Sequence, residues 1–180
     1  AYNYQVIPND LTPAEGELIK GIQANLWTES ISDWRKFTYM TYPRLFAIAE
    51  NAWTQPERKD WDGFTQRLLH ANQRLDAQGV RYAVSAFSPW MHHVGKGDSI
   101  EISFTTEANG LDLRYTLDGS APDTAAAQYT GPFTIGAGAE VTAQSFVGGI
   151  AVGYPVSLDL PIHLAAGTSV KDPTGQSIPK

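Results

Sequence analysis

The stretch GIQANLWTES, residues 21–30, decides how the first half of the chain is interpreted. Apolar residues lead from Gly21 to Trp27, and a lone carboxylate, Glu29, follows two places later. A short apolar run behind a glycine is typical of a buried strand in a parallel sheet. The sequence therefore predicts a strand at residues 22–27, with the indole and the carboxylate at its carboxyl end.

A helix is predicted directly after this strand, at residues 32–53. Ser32 or Asp33 is expected to cap its start by accepting from free backbone N–H groups. Pro43 removes a backbone donor, which predicts a kink or a short break. Apolar residues at spacings of three and four predict one buried stripe, made of Trp34, Phe37, Leu45, Ile48, Ala49 and Ala52.

A second helix is predicted to begin at Asp60 and to stop at Gly79, which has the conformational freedom that a helix end needs. One of its faces is expected to be buried because its members recur at helical spacing, namely Trp61, Phe64, Leu68, Asn72 and Leu75.

The composition changes near residue 88. Four of the five tryptophans lie before it, whereas 12 of the 16 glycines follow Val94. Alternating runs such as SIEISF, with Ile100, Ile102 and Phe104 on one face, predict strands. A second alternating run places Leu111, Leu113, Tyr115 and Leu117 together. Six or seven short strands at about ten-residue spacing are typical of a small antiparallel sandwich.

Bulk composition limits the function classes. The 180 residues are 42% hydrophobic and 18% charged, which is typical of globular proteins. The net charge of −6 and the lack of a basic run argue against nucleic-acid binding. The absence of cysteine excludes disulfides and cysteine-ligated zinc. No apolar run approaches the ~20 residues of a membrane span.

Three ordered motifs resemble the end of a family 20 glycoside hydrolase, a β-N-acetylhexosaminidase. They are GIQANLWTE, YPRLFAIAENAW and DWDGF…RL…LDAQGVRY, and the resemblance as a whole spans about residues 2 to 82. The second motif matches the family pattern at Pro43, Arg44, Ala47, Ala49, Glu50 and Trp53. The resemblance implies a (β/α)8 barrel whose last strand carries Trp27 and Glu29, and barrel active sites lie at the carboxyl ends of strands.

The resemblance also implies a substrate and a mechanism. Trp27 would line the pocket for a terminal N-acetylhexosamine, and Glu29 would accept from its O4 and O6 hydroxyls. Terminal β-GlcNAc or β-GalNAc would be hydrolysed with retention, with the substrate's acetamido oxygen as nucleophile. The family's adjacent Asp-Glu pair lies on an earlier strand, and this chain contains no such dipeptide. We therefore expect no catalytic residue in this chain and no hydrolysis by it alone.

The motif LRYTLDGSAPD with YTGPFTI is similar to the small Ig-like domain at the C-terminus of chitobiases and hexosaminidases. The expected fold is α+β: the last strand and helices of a truncated (β/α)8 barrel, then a small antiparallel Ig-like β-sandwich. The predicted boundaries are 1–87 for the barrel end, 88–165 for the sandwich and 166–180 for a tail or linker. We expect N-acetylhexosamine-containing glycans as partners, no cofactor, and export (periplasmic, cell-surface or secreted) in a bacterium.

Two other interpretations stay open. The chain could be a non-catalytic carbohydrate-binding or spacer module of a glycan-degrading protein. It could also self-associate through the open strand edge of the truncated barrel, since unpaired edges invite pairing.

Four further candidates are given structural roles. Adjacent His92 and His93 point to opposite faces of a strand, so no metal site is predicted. Glu50 and Arg44 are interpreted as a structural ion pair or packing contact. Asp118 is predicted to bond the backbone two residues on in a turn. Tyr115 is assigned to the core in preference to a sugar-stacking platform with Trp90.

Overall fold

A computed structural model of the chain describes residues 1–97, 99–136 and 138–158. It divides into two compact units, one from Ala1 to Ala83 and one from Val84 onward. The predicted tail at residues 166–180 lies outside the described residues.

The first unit is helical. Its elements are α1 (Pro13–Gly16), α2 (Trp34–Thr41), α3 (Arg44–Trp53), a 3-10 turn at Pro56–Arg58 and α4 (Trp61–Ala77).

The break between α2 and α3 lies where the sequence predicts it. Asp33 caps α2, because its carboxylate accepts from the Lys36 backbone N–H at 2.8 Å. The Tyr42–Pro43 peptide is cis, and α3 begins directly after it. The Arg44 guanidinium donates to the carbonyls of Tyr39 and Met40 at 3.2 and 3.0 Å, which satisfies acceptors at the end of α2.

The predicted buried stripe of this region is wrong in its phase. Trp34 and Leu45 are 69% and 45% exposed, and Ala49 and Ala52 also face solvent. The buried positions of α2 and α3 are instead Thr38, Ala47 and Asn51. The stripe continued one helical spacing across Pro43, but the break there gives each short helix its own orientation.

Helix α4 agrees with the prediction. The Asp60 carboxylate accepts from the backbone N–H groups of Asp62 and Gly63, at 3.1 and 3.0 Å. Gly79 follows the helix with a φ of +64°, a conformation that favours glycine. The buried face includes the predicted Phe64, Leu68, Asn72 and Leu75.

The predicted strand at residues 22–27 is not formed. Residues 20–28 adopt neither helix nor strand, and the strands of the described chain all lie between Trp90 and Leu158. A strand exists only when a neighbour pairs with its backbone, and the first unit supplies none among its described residues. The open strand edge expected to drive self-association is therefore also missing from this unit.

The second unit consists of two antiparallel sheets. After a 3-10 turn at Ser85–Phe87, its strands are β1 (Trp90–Lys96), β2 (Ser99–Thr105), β3 (Asp112–Thr116), β4 (Ala127–Gln128), β5 (Phe133–Ile135), β6 (Val141–Val147) and β7 (Ile150–Leu158). One sheet has the order β1-β2-β5 and the other the order β4-β3-β6-β7.

The core of this unit lies between the two sheets. Ile100, Ile102 and Phe104 face inward from β2, as their alternation predicts. Leu113, Val141 and Ala143 meet them from the other sheet. Both sheets thus bury one face against each other, which confirms the predicted sandwich arrangement.

Candidate functional site

Trp27 and Glu29 lie on the non-helical segment that leads into α2. Trp27 is 74% exposed, and Glu29 is exposed as well. Glu29 sits in a turn closed by the Ile31 backbone N–H, which donates to the Thr28 carbonyl at 3.0 Å. Four residues after Glu29, Asp33 fixes the start of α2. The turn and the capped helix thus follow directly after Trp27, and Glu29 lies within the turn.

These two side chains have the chemistry that a pyranose needs. An indole offers a flat apolar surface and one N–H donor, and an ionised carboxylate offers two acceptor oxygens. Their exposure leaves this chemistry available to a ligand. Neither residue lines the grooves of the first unit described below, so the predicted enclosed sugar pocket stays a prediction.

The first of these grooves runs between α3 and α4. It has a volume of about 310 Å³ and a largely apolar lining, with Phe46, Ala49, Trp53, Phe64 and Leu68 among its residues. At its edge the Glu50 Oε1 atom lies 2.7 Å from the Arg67 Nη2 atom. The predicted Glu50–Arg44 pair is therefore wrong in its partner, because Arg44 is held by carbonyl groups of α2. The structural role predicted for Glu50 is confirmed, since its bond joins two helices.

A second groove lies where the first residues of the chain cross the helices. The Asn51 amide donates to the Ala1 carbonyl at 2.7 Å, and Lys59 bonds both the Asn51 side chain and the Tyr4 carbonyl. Tyr2 is buried, with its ring 4.9 Å from that of Trp61, and burial raises the pKa of its hydroxyl. This anchor was missed because it joins residues about 50 positions apart.

Helix α1 was also missed, although it has a local signal. The Thr12 hydroxyl and the Glu15 carboxylate bond each other's backbone in a capping box. The sequence TPAE shows the Ser/Thr-x-x-Glu spacing of that motif. Hydrogen bonds from Thr12 lower the pKa of Glu15.

The histidine pair lies on β1. The residues His92 and His93 pair with Ser103 and Ile102 of β2, so they point to opposite faces of the sheet. The His92 Nε2 atom lies 2.9 Å from the Thr105 Oγ1 atom. Among residues 1–97, 99–136 and 138–158, no group of three or more His, Asp or Glu side chains is arranged to hold a metal ion. Over the same residues, no helix is both long and apolar enough to cross a membrane.

Two other predictions for the second unit are confirmed. The Asp118 Oδ1 atom accepts from the Ser120 N–H at 3.1 Å and from its hydroxyl at 2.6 Å, which forms the expected turn. These bonds lower the pKa of Asp118. Tyr115 stacks on Phe133 with ring centroids 4.4 Å apart, as a core residue does. Trp90, in contrast, is 54% exposed.

Comparison with known families gives two matches. Residues 1–56 match the family described as glycosyl hydrolase family 20, catalytic domain, and this range contains Trp27 and Glu29. Residues 95–157 match the chitobiase/beta-hexosaminidase C-terminal domain. The two matches follow the same order along the chain as the motifs in the sequence.

Individual relatives agree with these matches. The chain is 35% identical over 138 residues to a beta-hexosaminidase of Porphyromonas gingivalis, covering 73% of this chain and 17% of that protein. It is 37% identical over 91 residues to a beta-N-acetylhexosaminidase of Cellulomonas fimi, covering 50% of this chain and 18% of that protein. An N,N'-diacetylchitobiase of Vibrio harveyi is 23% identical over 106 residues, covering 59% of this chain and 11% of that protein.

The chain thus spans less than a fifth of the length of these relatives. The matched parts are a portion of the catalytic domain and the domain that follows it. Together they confirm the resemblance of this chain to the C-terminal part of family 20 β-N-acetylhexosaminidases.

Proposed function

We propose that this chain is part of an exo-acting β-N-acetylhexosaminidase that removes terminal β-GlcNAc or β-GalNAc from glycans. The observation that carries the proposal is the segment from Gly21 to Glu29, which lies inside the match to the family 20 catalytic domain. Relatives described as beta-hexosaminidase and beta-N-acetylhexosaminidase support the same substrate class.

Trp27 and Glu29 are proposed to contact the terminal sugar. The indole of Trp27 packs against the apolar C–H face of the pyranose, and the Glu29 carboxylate accepts from its O4 and O6 hydroxyls. Both side chains are exposed on the segment before α2, which supports a role in ligand contact. A hydroxyl–carboxylate bond would discriminate between sugars, because a sugar lacking the hydroxyl loses a charge-assisted hydrogen bond.

The proposed reaction retains the anomeric configuration through substrate assistance. The acetamido oxygen attacks C1 while a general acid protonates the leaving oxygen, and water then opens the cyclic intermediate. In the family an adjacent Asp-Glu pair steadies the acetamido group and moves the proton. The 180 residues contain no adjacent Asp-Glu, so the proposal assigns bond cleavage to residues outside them. It also places the enzyme outside the bacterial cytoplasm, where such glycans occur.

The test compares the 180-residue chain with the longest natural polypeptide that contains it. The substrate is 4-nitrophenyl N-acetyl-β-D-glucosaminide. The short chain is expected to release no nitrophenol, whereas the long polypeptide hydrolyses the substrate and gives the β-anomer first by NMR.

The role of Glu29 is tested in the long polypeptide. Losing a charge-assisted hydrogen bond of about 1.5–3 kcal/mol should lower kcat/KM by about 10- to 150-fold in Glu29→Gln. Glu17→Gln is the matched control, because Glu17 is exposed and outside the site. Full activity in Glu29→Gln, with the control also active, would remove Glu29 from the substrate site.

A further inference from the structure

The sheet formed by β1, β2 and β5 presents one face to solvent. Register and burial define this face: Met91, Ile102 and Phe104 point into the core, so the residues between them point outward. We call it the outer β1–β2 face, and its members are Trp90, His92, Val94 and Lys96 of β1 with Ser99, Glu101, Ser103 and Thr105 of β2.

The outer β1–β2 face combines a planar aromatic surface with polar side chains. Trp90 is 54% exposed at one end of β1. Beside it, the His92 Nε2 atom lies 2.9 Å from the Thr105 hydroxyl oxygen, a contact that orients the imidazole across the strands. Ser103 lies opposite His92 and adds a second hydroxyl. The face thus has an apolar platform bordered by side chains that both donate and accept hydrogen bonds.

The dimensions of this face suit an extended ligand. Residues on one face of a strand are about 6.7 Å apart, so Trp90 and Val94 are separated by about 13 Å. That length accommodates two or three consecutive pyranose rings. A ligand that lies along β1 with one ring on Trp90 would place its next rings over His92 and Val94.

The charges on this face favour a neutral ligand. The Lys96 Nζ atom lies 2.6 Å from the Glu101 Oε2 atom, so the two opposite charges neutralise each other. Among the described residues of β1 and β2, the remaining outward side chains are hydroxyl, imidazole and apolar groups. Apart from the paired Lys96, these described residues include no Lys or Arg that would attract a phosphate backbone or an anionic glycan.

The same composition argues against a protein partner. A stable protein interface buries about 800 Å² on each side around a cluster of large apolar residues. Here Trp90 and Val94 are the large apolar side chains, and hydroxyl groups surround them. A second copy of this chain, with its net charge of −6, would also be repelled.

We propose that the outer β1–β2 face is an auxiliary binding site for a neutral oligosaccharide built from N-acetylhexosamine units. Trp90 stacks on the C–H face of one ring, and His92 and Thr105 bond its hydroxyl or acetamido groups. The choice of N-acetylhexosamine rests on the proposed function. Trp90 and His92 lie outside both family matches, at 1–56 and 95–157.

The experiment measures chitohexaose binding to the 180-residue chain by isothermal calorimetry and two-dimensional NMR. All proteins carry Trp27→Ala and Glu29→Gln, so that the candidate barrel contacts cannot bind the probe. Trp90→Ala removes the platform, and Trp90→Phe keeps an aromatic ring. Tyr154→Ala is the matched control, because Tyr154 is an aromatic residue of the same unit that is 50% exposed on β7.

We expect binding with a Kd of about 1 mM or below, weakened about tenfold or more by Trp90→Ala. Trp90→Phe and Tyr154→Ala should bind within about threefold of the parent. Shifted amide signals should lie on β1 and β2. The proposal is overturned if chitohexaose does not bind, or if Trp90→Ala binds like the parent with its NMR spectrum showing a folded protein.

These outcomes are independent of hydrolysis. If Glu29→Gln leaves the long polypeptide fully active, the proposed role of Glu29 fails while the Trp90 result stands. If chitohexaose fails to bind the outer face, the hydrolytic assay is unaffected.

Discussion

Gly153 lies at a bulge in β7, and replacing it with alanine should severely destabilise the second unit. Ala143 pairs with Val156 and Ser145 with Val152, so Gln144 faces three residues of β7. Gly153 has a φ of +76° in this bulge. An added Cβ would lie 2.7 Å from the backbone C and O atoms of Phe87 and the backbone N of Ser88.

Two unfavourable contributions to the free energy of folding add together when Gly153 is replaced by alanine. A left-handed conformation costs a non-glycine residue about 1–2 kcal/mol. The clash adds about 1–3 kcal/mol, because the atoms in the way are backbone and cannot rotate aside. They are also fixed in place, since the Tyr154 N–H donates to the Ser88 hydroxyl at 2.8 Å. We therefore expect Gly153→Ala to lower the free energy of unfolding by about 2–5 kcal/mol.

Two control variants separate the contribution of the positive φ from that of the steric clash. Gly148 has a φ of +57° in the β6–β7 turn and open space at its Cβ, so Gly148→Ala should cost only about 1–2 kcal/mol. Gly95 has neither a positive φ nor a neighbouring atom, so Gly95→Ala should be close to neutral.

The assay is urea unfolding followed by the NMR amide signals of β6, which report on the second unit alone. If Gly153→Ala and Gly148→Ala differ by less than about 0.5 kcal/mol, the close packing of β7 on Phe87 would be refuted.

Two further predictions concern capping and turn groups. Asp60→Ala should destabilise the first unit by about 0.5–2 kcal/mol in urea melts, whereas Asp60→Asn keeps the cap; equal losses would contradict the role of the carboxylate oxygens. Ser120→Ala should raise the pKa of Asp118 toward its ordinary value in an NMR titration. Because folding lowers this pKa, the turn's stabilisation is complete above the ordinary pKa of Asp and disappears as the pH falls through the folded-state pKa. An unchanged pKa in Ser120→Ala would show that the hydroxyl is not the cause.

The features predicted correctly from the sequence are those that depend on near neighbours. Asp33 and Asp60 accept from N–H groups two or three residues on, and Gly79 ends α4 through its own φ. The inward positions of β2 were predicted because every second residue of the strand is apolar. In a sandwich, the side chains on that face are buried against the other sheet.

The bulge at Gln144 could not be predicted in this way. Its existence depends on how β6 and β7 align and on the backbone of Phe87, which lies 66 residues before Gly153. A single glycine in a strand pattern indicates a bulge without saying what packs against it. The anchoring of Ala1 by Asn51 was missed for the same reason, since no local pattern joins residues 50 positions apart.

The segment before α2 is the clearest case in which local sequence did not determine the structure. The apolar pattern at residues 22–27 has the composition of a strand, yet a strand requires partners whose backbone groups complete its hydrogen bonds. Local sequence indicates that the segment favours a position in a sheet, but the neighbouring strands must come from other parts of a protein. Because no strand of the described residues pairs with residues 22–27, the Trp27 side chain is not covered and is 74% exposed. The proposed role of Trp27 and Glu29 requires partner segments that enclose a pocket around them, and the Glu29→Gln assay in the long polypeptide tests whether Glu29 contributes to that pocket.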